Sequence, residues 1–151
     1  MHISLFNSLT RKKSEFKPIN QNKIRIYACG PTVYSFAHIG NARMAVVCDL
    51  LVKVLKTKYK TVDFVSNITD VDDKIIEVAN QAKEPIKKIT EKFHRIYNED
   101  MKNLGVNKPN IQPKATDFIQ EMIKIIEKLI KNQCAYIANE NVLFDVKKYK
   151  F

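Results

Sequence analysis

Cys29-Gly30-Pro31-Thr32-Val33-Tyr34-Ser35-Phe36-Ala37-His38-Ile39-Gly40-Asn41 stands between a short alternating apolar run, Ile24-Arg25-Ile26-Tyr27-Ala28, and a long apolar segment from Ala42 to Leu55. Alternation predicts a strand, and the long apolar segment predicts a helix from Ala42 to Lys56 that protein must cover on nearly all sides. A strand that ends in a Gly-Pro turn and feeds a helix brings backbone N–H groups and the positive end of a helix dipole to one place, where they hold an anion, usually a phosphate. The chain has three glycines, and Gly30 and Gly40 both lie in this stretch. Their concentration predicts close backbone approach there.

Downstream, Thr61 to Ile68 is β-branched and aromatic and reads as a second strand. Strand, helix and strand in this order make a βαβ unit, with a right-handed crossover and parallel strands. Cys29 and Asn67-Ile68-Thr69-Asp70 then lie at one carboxyl edge, where open α/β sheets bind ligands. A helix follows to about Ala82, with Thr69 or Asp70 as its N-cap. Another runs from Ile86 to Leu104 with Ile89, Phe93, Ile96, Tyr97 and Met101 on one stripe, and Gly105 ends it. Ala115 to Gln133 repeats that pattern after the loop from Val106 to Pro113. The two helices are expected to form an antiparallel pair beside the sheet. Ala135 to Ile137 and Val142 to Val146 read as a hairpin. Ile3 to Phe6 reads as a short strand, Asn7 to Lys23 as a connecting segment, and Lys147 to Phe151 as a basic tail.

The totals bound the function. At 151 residues the chain holds one core, and its 45% hydrophobic content argues against disorder. Twenty-six basic against 16 acidic side chains leave +10, which favours phosphate-bearing partners, although lysines scattered over helix surfaces explain much of the excess. Three cysteines without framework spacing, and no charged-then-apolar leader, point to a reducing cytoplasm. The segment Ala42 to Leu55 is broken by Arg43, Asp49 and Lys53 and is too short to span a bilayer.

Taken residue by residue, the chemistry leaves alternatives open. His38 and Asn41 can both face one ligand at the helix start, or both can cap the helix. Cys29 is a metal ligand, a nucleophile or an apolar filler, and from the residues alone filler leads. Cys48 and Cys134 read as structural, and His94 as solvent-exposed. Asp70, Asp72 and Asp73 could bind Mg²⁺, but acids in a first helical turn need no metal to explain them.

Three blocks together resemble the opening of cysteinyl-tRNA synthetase, a class I aminoacyl-tRNA synthetase. They are Tyr27-Ala28-Cys29-Gly30-Pro31-Thr32-Val33-Tyr34, His38-Ile39-Gly40-Asn41-Ala42-Arg43 and Asn67-Ile68-Thr69-Asp70-Val71-Asp72-Asp73-Lys74-Ile75-Ile76. Ala135-Tyr136-Ile137 and Leu143-Phe144-Asp145-Val146 are similar to the family too. The resemblance implies an α/β fold: a partial Rossmann-like parallel sheet with an added helical pair and a C-terminal hairpin. Residues 1–85 would be the first βαβ half with the ATP and cysteine motifs, 86–134 the helical pair, and 135–151 the start of the connective insertion.

It also implies roles. ATP and cysteine condense to cysteinyl-adenylate, Mg²⁺ accompanying the ATP, and the acyl group passes to tRNA(Cys). His38 matches the first His of the family's His-Ile-Gly-His signature, which stabilises charge developing on the phosphates, and Asn41 stands where the second His usually is. Thr32, His38, Gly40 and Asn41 would meet ATP; Cys29, Gly30 and Thr69 would meet cysteine. Cys29 matches a ligand of the family's Zn²⁺, whose other ligands fall beyond this chain. Members of the family run about three times this length. The expectation is therefore an amino-terminal fragment or truncated gene product that is inactive alone and left with uncovered apolar faces; a split enzyme completed by a second polypeptide is a separate possibility. Two alternatives are a non-catalytic ATP- or RNA-binding remnant and part of a ligase joining cysteine to an amino sugar.

Overall fold

The computed structural model describes residues 2–149 and divides into two compact units that meet between Pro113 and Lys114. Lys150 and Phe151 of the basic tail lie outside the described residues.

In the first unit, β1 (Ser4–Asn7) and β2 (Lys12–Glu15) form an antiparallel hairpin. The second of these strands corrects the reading of residues 7–23 as connection only. Its Lys-Lys-Ser-Glu is exposed throughout and carries no apolar alternation, so backbone pairing alone makes it a strand. β3 (Lys23–Ala28) and β4 (Thr61–Ser66) are parallel, in register from Lys23 opposite Thr61 to Ala28 opposite Ser66. Between them runs α1 (Ile39–Lys56), completing the expected βαβ unit. The loop after the last helix of this unit returns beside β4, where Ile111 bridges Val65 on the side away from β3.

Burial explains this arrangement. Ile24 of β3 and Val62 and Phe64 of β4 pack with Val52 and Leu55 of α1, together with Ile3 and Tyr59. Fully buried Leu55, Ile68, Ile75 and Val33 each contribute about 1.5–3 kcal/mol of transfer free energy. α1 is not covered on all sides, however: Val46, Val47 and Leu50 are exposed. One sheet covers one stripe of a helix, and the rest of this apolar surface has no cover among the described residues.

α2 (Asp73–Ala82) and α3 (Ile86–Asn103) follow β4. The N-cap of α2 is Asp72, whose side chain accepts from the Lys74 N–H at 2.9 Å, rather than Thr69 or Asp70. Thr69 is held in extended pairing with the Cys29–Tyr34 loop and is unavailable as a cap. α2 and α3 contribute Ala79, Ile89 and Phe93 to a second core with Val33 and Ile68. α3 stops at Leu104, and Gly105 takes φ +76°, a left-handed conformation that suits glycine.

The second unit holds a single 3-10 turn (Ala115–Phe118), α4 (Ile119–Lys131) and the hairpin β5 (Ala135–Ala138) and β6 (Asn141–Phe144). α4 buries none of its side chains. α3 and α4 thus belong to different units, and the helix packed against α3 in the first unit is α2.

Candidate functional site

Two clusters occupy the carboxyl edge of the parallel sheet, one where the strands end and one where α1 begins. The strand-end cluster is tied through backbone. Thr32 and Thr69 form a parallel bridge, with the Val33 N–H donating to the Thr69 carbonyl at 3.1 Å and the Thr69 N–H to the Pro31 carbonyl at 3.0 Å. The Gly30 N–H donates to Asn67 Oδ1 at 3.0 Å, and Asn67 Nδ2 donates to Thr69 Oγ1 at 3.2 Å. A Cβ on Gly30 would sit 1.6 Å from the Asn67 carbonyl oxygen, so no other residue fits this backbone. The structure thereby brings Gly30, Thr32 and Thr69 together. Cys29, beside them, is exposed, with its Sγ 3.7 Å from the Gly30 carbonyl; it is not the apolar filler that the residues alone favoured.

Side chains fasten the loop between the clusters. Val33 is buried at 1% exposure, Phe36 meets Phe93 edge to face at 5.3 Å between ring centroids, and Lys74 Nζ sits over the Tyr34 ring at 5.6 Å. The loop therefore carries its polar groups on a packed base.

At the start of α1, His38 is the N-cap. Its Nδ1 accepts from the Gly40 N–H at 3.0 Å, and the His38 N–H donates to Asn41 Oδ1 at 3.1 Å, a reciprocal capping box. Capping and ligand contact are compatible here, because each side chain spends its acceptor on the cap. With Nδ1 accepting, the neutral imidazole carries its proton on Nε2, and Asn41 keeps its NH₂. Both then offer donors, at a helix end whose own N–H groups favour an anion. Gly40 makes room for the His38 ring: a Cβ there would lie 2.8 Å from His38 Cε1.

Further along α1, Asp49 is buried at 7% exposure and ties the helix to the loop after α3. It accepts from the Asn107 backbone N–H at 3.3 Å and from Asn107 Nδ2 at 3.1 Å, and pairs with Lys53 at 2.6 Å. Burial alone would raise its pKa, but the hydrogen bonds from Lys53 and Asn107 and the Lys53 charge hold it below the ordinary carboxylate value. Burial raises the Cys48 thiol and the Tyr97 phenol, the latter also through Cys48.

One further residue departs from its sequence reading, and one was given no role there. His94 is half-buried, with Nε2 3.1 Å from Gln112 Oε1, and lines a cavity of about 520 Å³ with Tyr97, Asn98 and Met101. Its place beside the apolar stripe suggested solvent; the returning 106–112 loop covers it instead. Asn67 was not singled out from the sequence. The available signal was an Asn just past a strand, where its amide can bond the backbone of a neighbouring loop.

Zinc does not fit the donors present. Among the described residues no group of three or more His, Cys, Asp or Glu side chains is arranged to hold a metal ion, and Cys29 offers one thiol. Of the three acids after Thr69, Asp72 is engaged as a helix cap and Asp70 is buried. Among the described residues no helix is long and apolar enough to cross a membrane.

Comparison with known proteins places the chain. The profile of the family described as "tRNA synthetases class I (C) catalytic domain" matches residues 15–151. The chain is 50% identical over 149 residues to a cysteine–tRNA ligase of Parvibaculum lavamentivorans, covering 99% of this chain and 32% of that protein. It is 49% identical over 150 residues to the cysteine–tRNA ligase of Maricaulis maris, covering 98% and 32%. With that of Coxiella burnetii it shares 45% over 151 residues, covering 99% and 33%. The chain thus spans about a third of the length of the curated relatives it matches.

Proposed function

Because this chain belongs to the family of class I (C) tRNA synthetase catalytic domains, we propose that it supplies the nucleotide-facing and cysteine-facing first part of a cysteine–tRNA ligase. The observation that carries the proposal is the capping box at α1. It turns the outward-facing groups of His38 and Asn41 into donors above a helix N-terminus. In the reaction a carboxylate oxygen of cysteine attacks the α-phosphorus of ATP, the bond to the leaving pyrophosphate breaks, and cysteinyl-adenylate forms. Negative charge grows on the phosphate oxygens in that step. His38 Nε2–H and the Asn41 amide are suited to meet it, because both are held in orientation before ATP arrives. Asn41 in the position of the second signature histidine would thus act as a neutral donor.

Gly40 is proposed to lie against the nucleoside, and Thr32 flanks the same edge. Mg²⁺ would enter with ATP. Gly30 and Thr69 are proposed to meet cysteine, with the Cys29 thiol beside them. No step is assigned to zinc, since one thiol does not make its site. Transfer of the acyl group to tRNA(Cys) is preferred over transfer to an amino sugar because the relatives are named as tRNA ligases. A cytoplasmic setting accords with free, unpaired cysteines. The 151-residue chain alone is proposed to be inactive, residues from elsewhere in a longer or second polypeptide completing the centre.

The test is a titration of ATP against wild type and His38→Ala, together with cysteine-dependent ATP–pyrophosphate exchange. Saturable ATP binding that weakens about tenfold in the variant supports the site. Equal affinity in both proteins would exclude His38 from it, and exchange above background in the isolated chain would refute its inactivity.

A further inference from the structure

The hydrogen bonds around Asn67 determine which way a neighbouring hydroxyl can point. A backbone N–H only donates, so the atom facing Gly30 N must be the Asn67 amide oxygen, 3.0 Å away. That leaves the NH₂ end toward Thr69 Oγ1, 3.2 Å away, where an NH₂ can only donate. Thr69 Oγ1 is therefore an acceptor on its inner side, and its own proton is turned outward. Both ends of the relay are fixed by backbone: Gly30 by the lack of room for a Cβ, and Thr69 by its two bonds to Pro31 and Val33.

We infer that Asn67 is a positioning residue that sets Thr69 as a hydroxyl donor, and so selects an acceptor, the carboxylate of the amino acid, at that point of the site. This rests on the cysteine-facing role proposed above. Of the polar groups on free cysteine, the ammonium only donates and the thiol is a weak partner. The carboxylate is the strong acceptor. Asn67 would thus align the group that attacks ATP without touching it.

The substitution that tests polarity rather than bulk is Asn67→Asp. An aspartate oxygen still accepts from the Gly30 N–H, but the other oxygen accepts the Thr69 hydroxyl and draws its proton inward. In the 151-residue chain, followed by amide NMR, Gly30 should stay protected while L-cysteine affinity falls about tenfold and ATP affinity does not change. Cysteamine, which lacks the carboxylate, should bind wild type and Asn67→Asp alike. In a Thr69→Val background Asn67→Asp should have no further effect, which separates hydroxyl polarity from simple charge repulsion. Thr69→Ser, which keeps the hydroxyl, should retain wild-type affinity and stands in if Asn67→Asp does not fold. The inference is overturned if Asn67→Asp binds L-cysteine as wild type does, if cysteamine weakens equally, or if the two substitutions are additive. Absence of saturable L-cysteine binding to wild type overturns it as well; if ATP still binds, the nucleotide reading stands, and if ATP also fails, that reading falls with it.

Discussion

The strand-end cluster and the helix-start cluster are built on opposite terms. Around Gly30, Asn67 and Thr69 paired backbone is braced by the Asn67 amide, with no space for one added carbon at Gly30. Around His38, Gly40 and Asn41 they are side chains folded onto a helix end that is open to solvent. Moving the first cluster requires breaking paired backbone; the second is held by two side-chain hydrogen bonds at an exposed helix end. The function proposed above, holding a small amino acid in one pose and admitting a nucleotide, would benefit from this division, since pre-organisation is most valuable where few atoms bind.

The sharpest way to break the comparison is Gly30→Ala. A Cβ 1.6 Å from the Asn67 carbonyl oxygen and 2.8 Å from its carbon forces the two loops apart. The expected loss is about 3 kcal/mol or more, read from urea unfolding. A loss under about 0.5 kcal/mol would show the strand-end cluster to be as yielding as the helix cap.

Asp49→Asn tests whether α1 is held in place at mid-helix rather than by its cap, and should cost about 1–3 kcal/mol. It also has a pH signature. Asp49 titrates in the folded chain below the ordinary aspartate value of 3.8, so the ionised carboxylate contributes stability that is fully present above that value. This contribution is lost as pH falls through the lowered folded value. Unfolding midpoints measured downward from pH 3.8 should therefore fall more steeply in wild type than in Asp49→Asn; parallel curves would remove Asp49 from the account.

Gly40→Ala should have the smallest effect on stability and a selective effect on function. The new Cβ, 2.8 Å from His38 Cε1, displaces the ring, while alanine in a helix regains up to about 1 kcal/mol. Stability should change by no more than about 1 kcal/mol. ATP affinity should fall about tenfold. Unchanged ATP affinity would mean that the ring's capped position is irrelevant to binding.

The two clusters also differ in how far they could be read from sequence. His38 and Asn41 lie three residues apart before an apolar helical run, so one local element fixes both and their capping was foreseeable. Gly30 and Asn67 are 37 residues apart. Their meeting follows from the parallel pairing of β3 with β4, and only the recognition of a βαβ unit predicted a shared edge. The strand β2 was missed because an exposed hairpin strand needs no apolar alternation. The half-burial of His94 depended on a loop more than ten residues later folding back over α3.

By itself, then, the sequence determined the βαβ order, the family and the residues at the sheet's carboxyl edge, because period, turn chemistry and motif are local properties of the chain. The tertiary structure alone decided which oxygen and nitrogen of Asn67 face which neighbour, how His38 shares its two ring nitrogens between cap and solvent, and how much of α1 stays bare. Those depend on what a side chain meets across the fold, and hydrogen-bond polarity is settled only when both partners are in place.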